Sequence, residues 1–275
     1  MKNIYITDLD HTFLRTDLSI SDYTKKIWNS YAPESILSIA TARTYKKTQQ
    51  FLKGVEVNAP MILLDGALIA TKDKKIIDTK FINKEFGDAI IEEGSRLGIY
   101  PFVLSLVDDE LNEAFSYSTT LNSYQSEIIK RYVGDEHTEA FDNLRAMENN
   151  FKIVYMAEEM LLQALEQNLR IIFGDELKYV LAPEAYMGCY FLTILHKDAD
   201  KSHGIKSVSE AVGFDLGKLT VFGDNLNDVG MFELANTSVA VANAQEGLRE
   251  KADVVLSQTN DEDAVAKYLE SLKNG

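Results

Sequence analysis

The chain has little cysteine, proline, tryptophan or positive charge. Of its 275 residues, one is cysteine, one is tryptophan and four are proline. A single thiol, Cys189, excludes an intrachain disulfide. It lies in the apolar run Cys189–Leu195, which predicts a small buried hydrophobe rather than a nucleophile. No low-complexity segment, flexible linker or internal repeat interrupts the sequence. No stretch approaches the roughly 20 consecutive apolar residues that span a bilayer, so no membrane partner is expected. The opening Met-Lys-Asn-Ile-Tyr-Ile has no apolar signal region or small-residue cleavage site, and a cytoplasmic location is the expectation. Lys and Arg number 28 against 43 Asp and Glu, a net charge of −15. Such a chain repels phosphate backbones and is not expected to bind nucleic acid. An anionic substrate would need particular basic residues. The four histidines, His11, His137, His196 and His203, show no zinc-ligand spacing.

What is there is enough to bury a full core, as one large domain or two modest ones. The first part alternates strand-like and helix-like segments. Ile4–Thr7 precedes a helix over Ser21–Tyr31 capped by Ser21; then come Ile36–Ala40, a helix over Thr44–Leu52, and Met61–Leu64. These strands are continuous apolar runs without period-two alternation, as in a parallel sheet covered on both faces. From Lys84 to Leu195 strict alternation is lost, and helices are mixed with strand-like stretches such as Tyr100–Val107, Glu113–Tyr117 and Phe151–Ala157. That mixture predicts an inserted α+β unit. The parallel pattern resumes with a helix over Ser202–Val212 and the strand Leu219–Gly223. The expected organisation is a doubly wound α/β core over 1–80 and 186–275, with the insertion at 81–185.

Four polar clusters follow strands or open helices: Asp8-Leu9-Asp10-His11-Thr12, Thr41-Ala42-Arg43, Lys201, and Gly223-Asp224-Asn225-Leu226-Asn227-Asp228. In a parallel sheet the carboxyl ends of strands form the ligand crevice. Asp8, Asp10, Asp224 and Asp228 would crowd one small volume, where bare carboxylates repel and some must take up protons. A hard divalent cation resolves the conflict. Magnesium typically uses one or two carboxylates, keeps several waters and accepts substrate phosphate oxygens. Lys201 and Arg43 would supply positive charge for that phosphate. Each cluster alone has a plainer reading. An isolated Asp-x-Asp-x-Thr is usually a solvated turn, a lone Thr41 a helix cap, and Lys201 competes with its neighbours Lys197 and Lys206.

Together and in this order, the clusters resemble the four signature motifs of the haloacid dehalogenase (HAD) superfamily. The insertion resembles the C2 cap class, and the whole chain resembles the Cof-type sugar-phosphate phosphatases. Thr41-Ala42-Arg43, Asp65-Gly66-Ala67-Leu68-Ile69 and Ala242-Asn243-Ala244 are further matches. The resemblance implies a magnesium-dependent phosphatase acting on small phosphorylated metabolites. Asp8 would be the nucleophile, carrying an aspartyl phosphate, and Asp10 the general acid and base. Magnesium would be held by Asp8, the backbone carbonyl of Asp10 and Asp224. Asp228 would stand behind them, through a metal-bound water or paired with Lys201. Thr41, Ala42, Arg43, Lys201 and Asn227 would bind phosphate. The protein would act as a monomer or small homo-oligomer.

Two positions depart from the group's pattern. His11 stands where glycine is common, and Asp65 where asparagine is frequent. Rival readings are a phosphomutase of the same fold and a non-catalytic binding protein on this scaffold. A metal-free C–halogen hydrolase is a third, disfavoured by the complete acidic motif at 224–228.

Overall fold

The computed structural model describes residues 2–130, 138–184 and 187–274. They form two compact units: Met1–Thr79 with Asp200–Gly275, and Lys80–Ala199.

The first unit is built on a five-stranded parallel sheet. Its strands are β1 (Asn3–Thr7), β2 (Ser35–Ile39), β12 (Leu219–Gly223), β13 (Thr237–Ala240) and β14 (Val254–Val255), in the order β14-β13-β12-β1-β2. The order explains where the site lies. From β1 the chain crosses to β2 on one side, and from β12 it crosses to β13 on the other. The loops leaving these two adjacent strands diverge and open a crevice at their carboxyl ends. Both strands are buried apolar runs, Ile4 and Ile6 beside Val221 and Phe222, so the sheet is covered on both faces as expected.

Helices α1 (Asp22–Asn29), α2 (Tyr45–Phe51), α6 (Lys201–Val212), α7 (Val229–Leu234), α8 (Glu246–Arg249) and α9 (Ala264–Asn274) complete the unit. The side chain of Ser21 caps α1 by accepting from Thr24 N, and Thr44 caps α2 through Lys47 N. One expectation needs correcting. The run at Met61–Leu64 does not form a full strand of the parallel sheet. Only a bridge from Ala40 to Ile62 joins it there. Its strand, β3 (Met61–Leu63), pairs antiparallel with β4 (Leu68–Ala70), which pairs with β5 (Ile76–Thr79). All of Met61 to Leu64 is buried either way, and burial alone does not specify the partner.

The amino- and carboxyl-terminal parts of this unit are tied through Asp263. Its carboxylate accepts from Arg15 Nη2 at 2.8 Å, Ser21 Oγ at 2.7 Å and Thr24 Oγ1 at 3.0 Å. Its backbone is left-handed (φ 62), which Asp tolerates better than most residues. Asp263→Ala should therefore destabilise the protein by about 2 kcal/mol. Burial pushes this carboxyl up, but the bonds from Arg15, Ser21 and Thr24 outweigh it and hold it below the usual range. A carboxyl depressed by folding contributes stability that is full above its unfolded value and is lost as pH falls through the folded one. Urea unfolding should show the deficit of Asp263→Ala in full near neutrality and shrinking below about pH 4. A deficit independent of pH would disprove the assignment.

The second unit is a six-stranded sheet of β6 (Phe102–Leu106), β7 (Glu113–Ser118), β8 (Thr138–Phe141), β9 (Asn150–Ala157), β10 (Leu177–Glu184) and β11 (Cys189–His196). The strand order is β10-β11-β9-β6-β7-β8. All pairings are antiparallel except β7 with β8. Helices α3 (Lys84–Arg96) and α5 (Glu159–Phe173) bury Ile90, Leu162, Leu165 and Leu169 against Val103, Ile153, Tyr155 and Ile194 on one face. The opposite face gathers Phe102, Met156 and Cys189 with Ile128 and Ile129 of α4 (Ser123–Lys130). Cys189 is thus the buried hydrophobe its surroundings predicted.

The α+β character of the insertion is as expected, and its first boundary lies at Thr79/Lys80. The second lies later than expected, at Ala199/Asp200 rather than 185/186. The reason is β11, a strand of the non-alternating middle that pairs with β9 and β10 and so belongs to the second unit. Strand β8 had no signal, since Thr138–Phe141 is a short edge strand without alternation. The expected helix near Ser123–Tyr132 is found as far as Lys130; its last two residues lie outside the described ones.

Candidate active site

The crevice begins at Asp8, one residue past β1, whose N–H continues the ladder by donating to Phe222 O at 2.9 Å. The chain then kinks. Asp10 is extended (φ −68, ψ 132) and His11 left-handed (φ 55, ψ 9). The left-handed turn gives a physical reason for glycine at this position in relatives of the pattern: glycine takes such a φ at no steric cost, and His11 does not. The His11 carbonyl accepts from Asn243 Nδ2 at 2.8 Å, while its side chain is exposed. Beyond the kink, Thr12 is buried and donates from Oγ1 to Asp224 Oδ1 at 2.9 Å.

Asp224 and Asp228 come from the loop after β12. Asp228 is fully buried, and its Oδ2 accepts from the N–H groups of Asp224 at 3.0 Å and Asn225 at 3.1 Å. The loop is therefore folded around its own carboxylate. Gly223 permits this, because a Cβ there would sit 2.5 Å from Asp228 Oδ2. The remaining oxygen, Asp228 Oδ1, lies 2.6 Å from Lys201 Nζ, and Asp8 Oδ1 lies 2.6 Å from the same ammonium. Lys201, only 1 % exposed, opens α6 behind the cap residue Asp200. The alternatives Lys197 and Lys206 are not in this position: Lys197 pairs with Glu176 at 3.3 Å, and Lys206 is exposed.

Electrostatically the cluster is short of positive charge. Carboxylate oxygens of Asp8, Asp224 and Asp228 all lie within 4.8 Å of one another. Three carboxylates and one ammonium, all ionised, carry a formal charge of −2. The titrations reflect this. Burial raises Asp8 well above the usual carboxylate range; Lys201 opposes that, and the charges of Asp228 and Asp224 add to it. Asp224 is pushed up to about 6, by burial first and by Asp228 next, against Thr12 and Lys201. Burial disfavours the Lys201 ammonium, but Asp228 and Asp8 outweigh it and hold the proton firmly.

A divalent cation fits the donor set. Asp8 Oδ1 takes Lys201 and Asp224 Oδ1 takes Thr12, and among the described residues no hydrogen bond ends on Oδ2 of either. Both oxygens of Asp228 are engaged, so it is placed to support rather than to ligate directly. Two free carboxylate oxygens are what magnesium typically asks of a protein.

The second cluster surrounds Arg43. Asp10's carboxylate is held by the guanidinium through two bonds, Nε to Oδ2 at 2.7 Å and Nη2 to Oδ1. The carboxylate is thus turned to Arg43. The metal expectation for Asp10 concerned its backbone carbonyl. The guanidinium also stacks on Phe51, 4.4 Å from the ring centroid. Thr41 is buried, with Oγ1 accepting from Arg43 N at 3.2 Å and its carbonyl from Asp65 N at 3.0 Å. Ala42 lies between, partly exposed. Asn227 is exposed and donates to Asp65 Oδ1 at 2.9 Å. No hydrogen bond among the described residues joins Thr41 or Asn227 to Asp8 or Lys201.

Asp65, like His11, occupies a left-handed position (φ 55), where Asp and Asn are the tolerated non-glycine residues. Its pairing with Asn227, the Thr12 bond to Asp224 and the Asn243 brace on the Asp8 loop were not assigned from sequence. Thr12 was within reach of that reasoning, as the last member of the Asp-x-Asp-x-Thr motif.

The decisive comparison is with a family model for haloacid dehalogenase-like hydrolases, which matches residues 5–269. The chain belongs to this family. A curated relative, the 5-amino-6-(5-phospho-D-ribitylamino)uracil phosphatase YwtE of Bacillus subtilis, is 26% identical over 299 aligned positions, covering 100% of this chain and 99% of its own. Among solved structures, a haloacid dehalogenase-like hydrolase from Bacteroides thetaiotaomicron superposes with a TM-score of 0.80 at 20% identity, covering 99% and 100%. A HAD subclass IIB sugar phosphatase gives 0.72 at 18%, covering 99% of each chain. Hydrolase and phosphatase are the classes these matches support, and the parallel core with an inserted α+β unit is the fold they share. Among the described residues no helix is long and apolar enough to cross a membrane.

Proposed function

We propose that this HAD hydrolase is a magnesium-dependent, cytoplasmic phosphatase of small phosphorylated metabolites, sugar phosphates first. The observation that carries the reading is the buried ammonium of Lys201 between Asp8 and Asp228, with Asp224 alongside and a net −2 awaiting a dication. The bound ion would supply charge neutralisation for a phosphate dianion and hold one of its oxygens beside Asp8.

The chain's own residues supply the rest. Asp8 attacks phosphorus through one carboxylate oxygen, Oδ1 beside Lys201, and leaves Oδ2 for the ion. A P–O bond forms to Asp8 while the bond to the leaving alcohol breaks, and Asp10 delivers the proton that the alcohol needs. Asp10 then takes a proton from water, which attacks the aspartyl phosphate and releases inorganic phosphate and free Asp8. Arg43 can hold Asp10 and still face phosphate, because a guanidinium has five donor hydrogens and the pair on Asp10 uses two. Lys201, the Thr41-Ala42-Arg43 turn and Asn227 line the phosphate position.

The test is release of inorganic phosphate from p-nitrophenyl phosphate and a sugar-phosphate panel, with magnesium and with excess chelator. Turnover should need magnesium and fall to background with EDTA, and the panel ranking should favour sugar phosphates. Turnover unaffected by chelator would remove the metal from the reading. Transfer to a second sugar without net phosphate release would replace hydrolysis by a mutase reaction.

A further inference from the structure

One polar cluster outside this machinery has no role in the reaction as proposed. Asp78, on β5, is one residue before the end of the first unit's amino-terminal part. Its Oδ1 accepts from Thr79 N at 2.8 Å, which fixes the carboxylate's orientation. Its Oδ2 lies 2.7 Å from His203 Nε2 and 3.0 Å from Ser207 Oγ. With a carboxylate as partner, the ring nitrogen and the hydroxyl are both donors. Ser207 Oγ is also 3.3 Å from His203 Nε2. His203 and Ser207 are four residues apart, so they lie one above the other on one face of α6. This is no nucleophile–base–acid relay, because histidine and serine share the same carboxylate oxygen.

The same helix begins with Lys201. Its first turn is seated at backbone distance: a Cβ on Gly66, which has φ +90, would overlap the Asp200 carbonyl, and one on Gly204 would overlap Ile62. These contacts set how closely the helix approaches its neighbours. Ile205 and Val208, buried in the core, hold the inner face of the helix, and the bonds of His203 and Ser207 to Asp78 add a constraint on rotation about its axis. Rotation matters most for long side chains. An ammonium roughly 8 Å from the axis moves by about 1.4 Å for a turn of about 10°. A shift of that size breaks hydrogen bonds of 2.6 Å.

We propose that Asp78 is a positioning residue for Lys201: by holding His203 and Ser207 it fixes the rotation of α6, and so the point where the buried ammonium meets Asp8 and Asp228. The kinetic part of the test rests on the phosphatase reading, whereas a labelling part does not. Variants Asp78→Ala and His203→Gln are compared with the wild type. The first removes both contacts; the second keeps an N–H donor at the position of Nε2. Asp263→Ala serves as a destabilised control remote from α6. Each is treated with formaldehyde and cyanoborohydride, and methylation of each lysine is read by mass spectrometry.

Lys201 should be protected in wild type, in His203→Gln and in Asp263→Ala, and at least about tenfold more reactive in Asp78→Ala, with Lys206 unchanged throughout. With p-nitrophenyl phosphate and magnesium, kcat of Asp78→Ala should fall about 10- to 100-fold, more than KM changes, and His203→Gln should stay within about threefold of wild type. A folded Asp78→Ala with Lys201 still protected overturns the proposal, whatever its kcat. If the wild type releases no phosphate, the functional reading fails and the labelling alone decides this one. Should Asp78→Ala not fold, His203→Ala takes its place, with the same outcomes.

Discussion

Asp8→Asn is expected to lose about 10⁴-fold or more in phosphate release while folding as well as the wild type or better. The amide keeps the shape of the carboxylate and removes the nucleophilic oxygen. No neighbour can replace it. Asp224 is fixed through Oδ1 by the Thr12 hydroxyl and its other oxygen serves the ion, both oxygens of Asp228 are engaged, and Asp10 is turned to Arg43. The stability half of the expectation comes from charge. Asp8 is 6 % exposed, and its ionised form is disfavoured by burial and by two carboxylates nearby. A neutral side chain removes that desolvation cost and the repulsion, and leaves Lys201 still paired with Asp228. Thermal unfolding without added metal should therefore give a midpoint equal to or above that of wild type. With magnesium present the order should reverse, because the wild type gains ligand-linked stability that Asp8→Asn largely loses. Activity within tenfold of wild type would remove Asp8 from the role of nucleophile. A collapse of stability without metal would show that Asp8 serves the fold first.

Lys201→Met should have the opposite stability signature. It deletes the one cation that, among the described residues, lies within hydrogen-bond distance of Asp8 and Asp228, and leaves two buried carboxylates beside each other and Asp224. Removing one partner of a buried ion pair typically costs 3–5 kcal/mol, far more than the pair contributes in net terms. For a chain of this size that corresponds to a thermal midpoint lower by roughly 6–20 °C. Phosphate release should be lost as well, so activity alone cannot separate the two roles. The double variant Lys201→Met/Asp228→Asn can. It remains inactive but should recover much of the stability, since the second change removes one of the stranded charges. Millimolar magnesium should also raise the midpoint of Lys201→Met by supplying charge at the same place. A Lys201→Met protein as stable as wild type at neutral pH would mean that the carboxylates are already protonated there.

Much of the fold was legible because it rests on local signals. The caps at Ser21 and Thr44 and the buried runs of β1, β2 and β12 follow from short-range patterns. The candidate site was legible for a different reason. Asp8 and Asp224 each follow a strand directly, and parallel strands deliver their carboxyl ends to one edge whatever the intervening chain does. What failed were statements about partners. The run at Met61–Leu64 was recognised but pairs elsewhere than its pattern suggested, and the run Cys189–Leu195 was recognised as a strand but falls on the other side of the expected unit boundary. A fully buried strand carries no alternation by which to identify its neighbour.

The sequence by itself therefore determined the inventory: an α/β core interrupted by an α+β unit, and a set of acids, a lysine and a threonine at strand ends and helix starts. Only the tertiary structure decided how those groups are joined. That Lys201 bonds to Asp8 and Asp228, that Arg43 turns Asp10 to itself, and that Thr12 takes one oxygen of Asp224 depend on contacts across as many as 212 residues of chain. Composition and periodicity report which surfaces are buried. They are silent on rotation and register at the scale of one hydrogen bond, and at that scale the chemistry of the carboxylates is set.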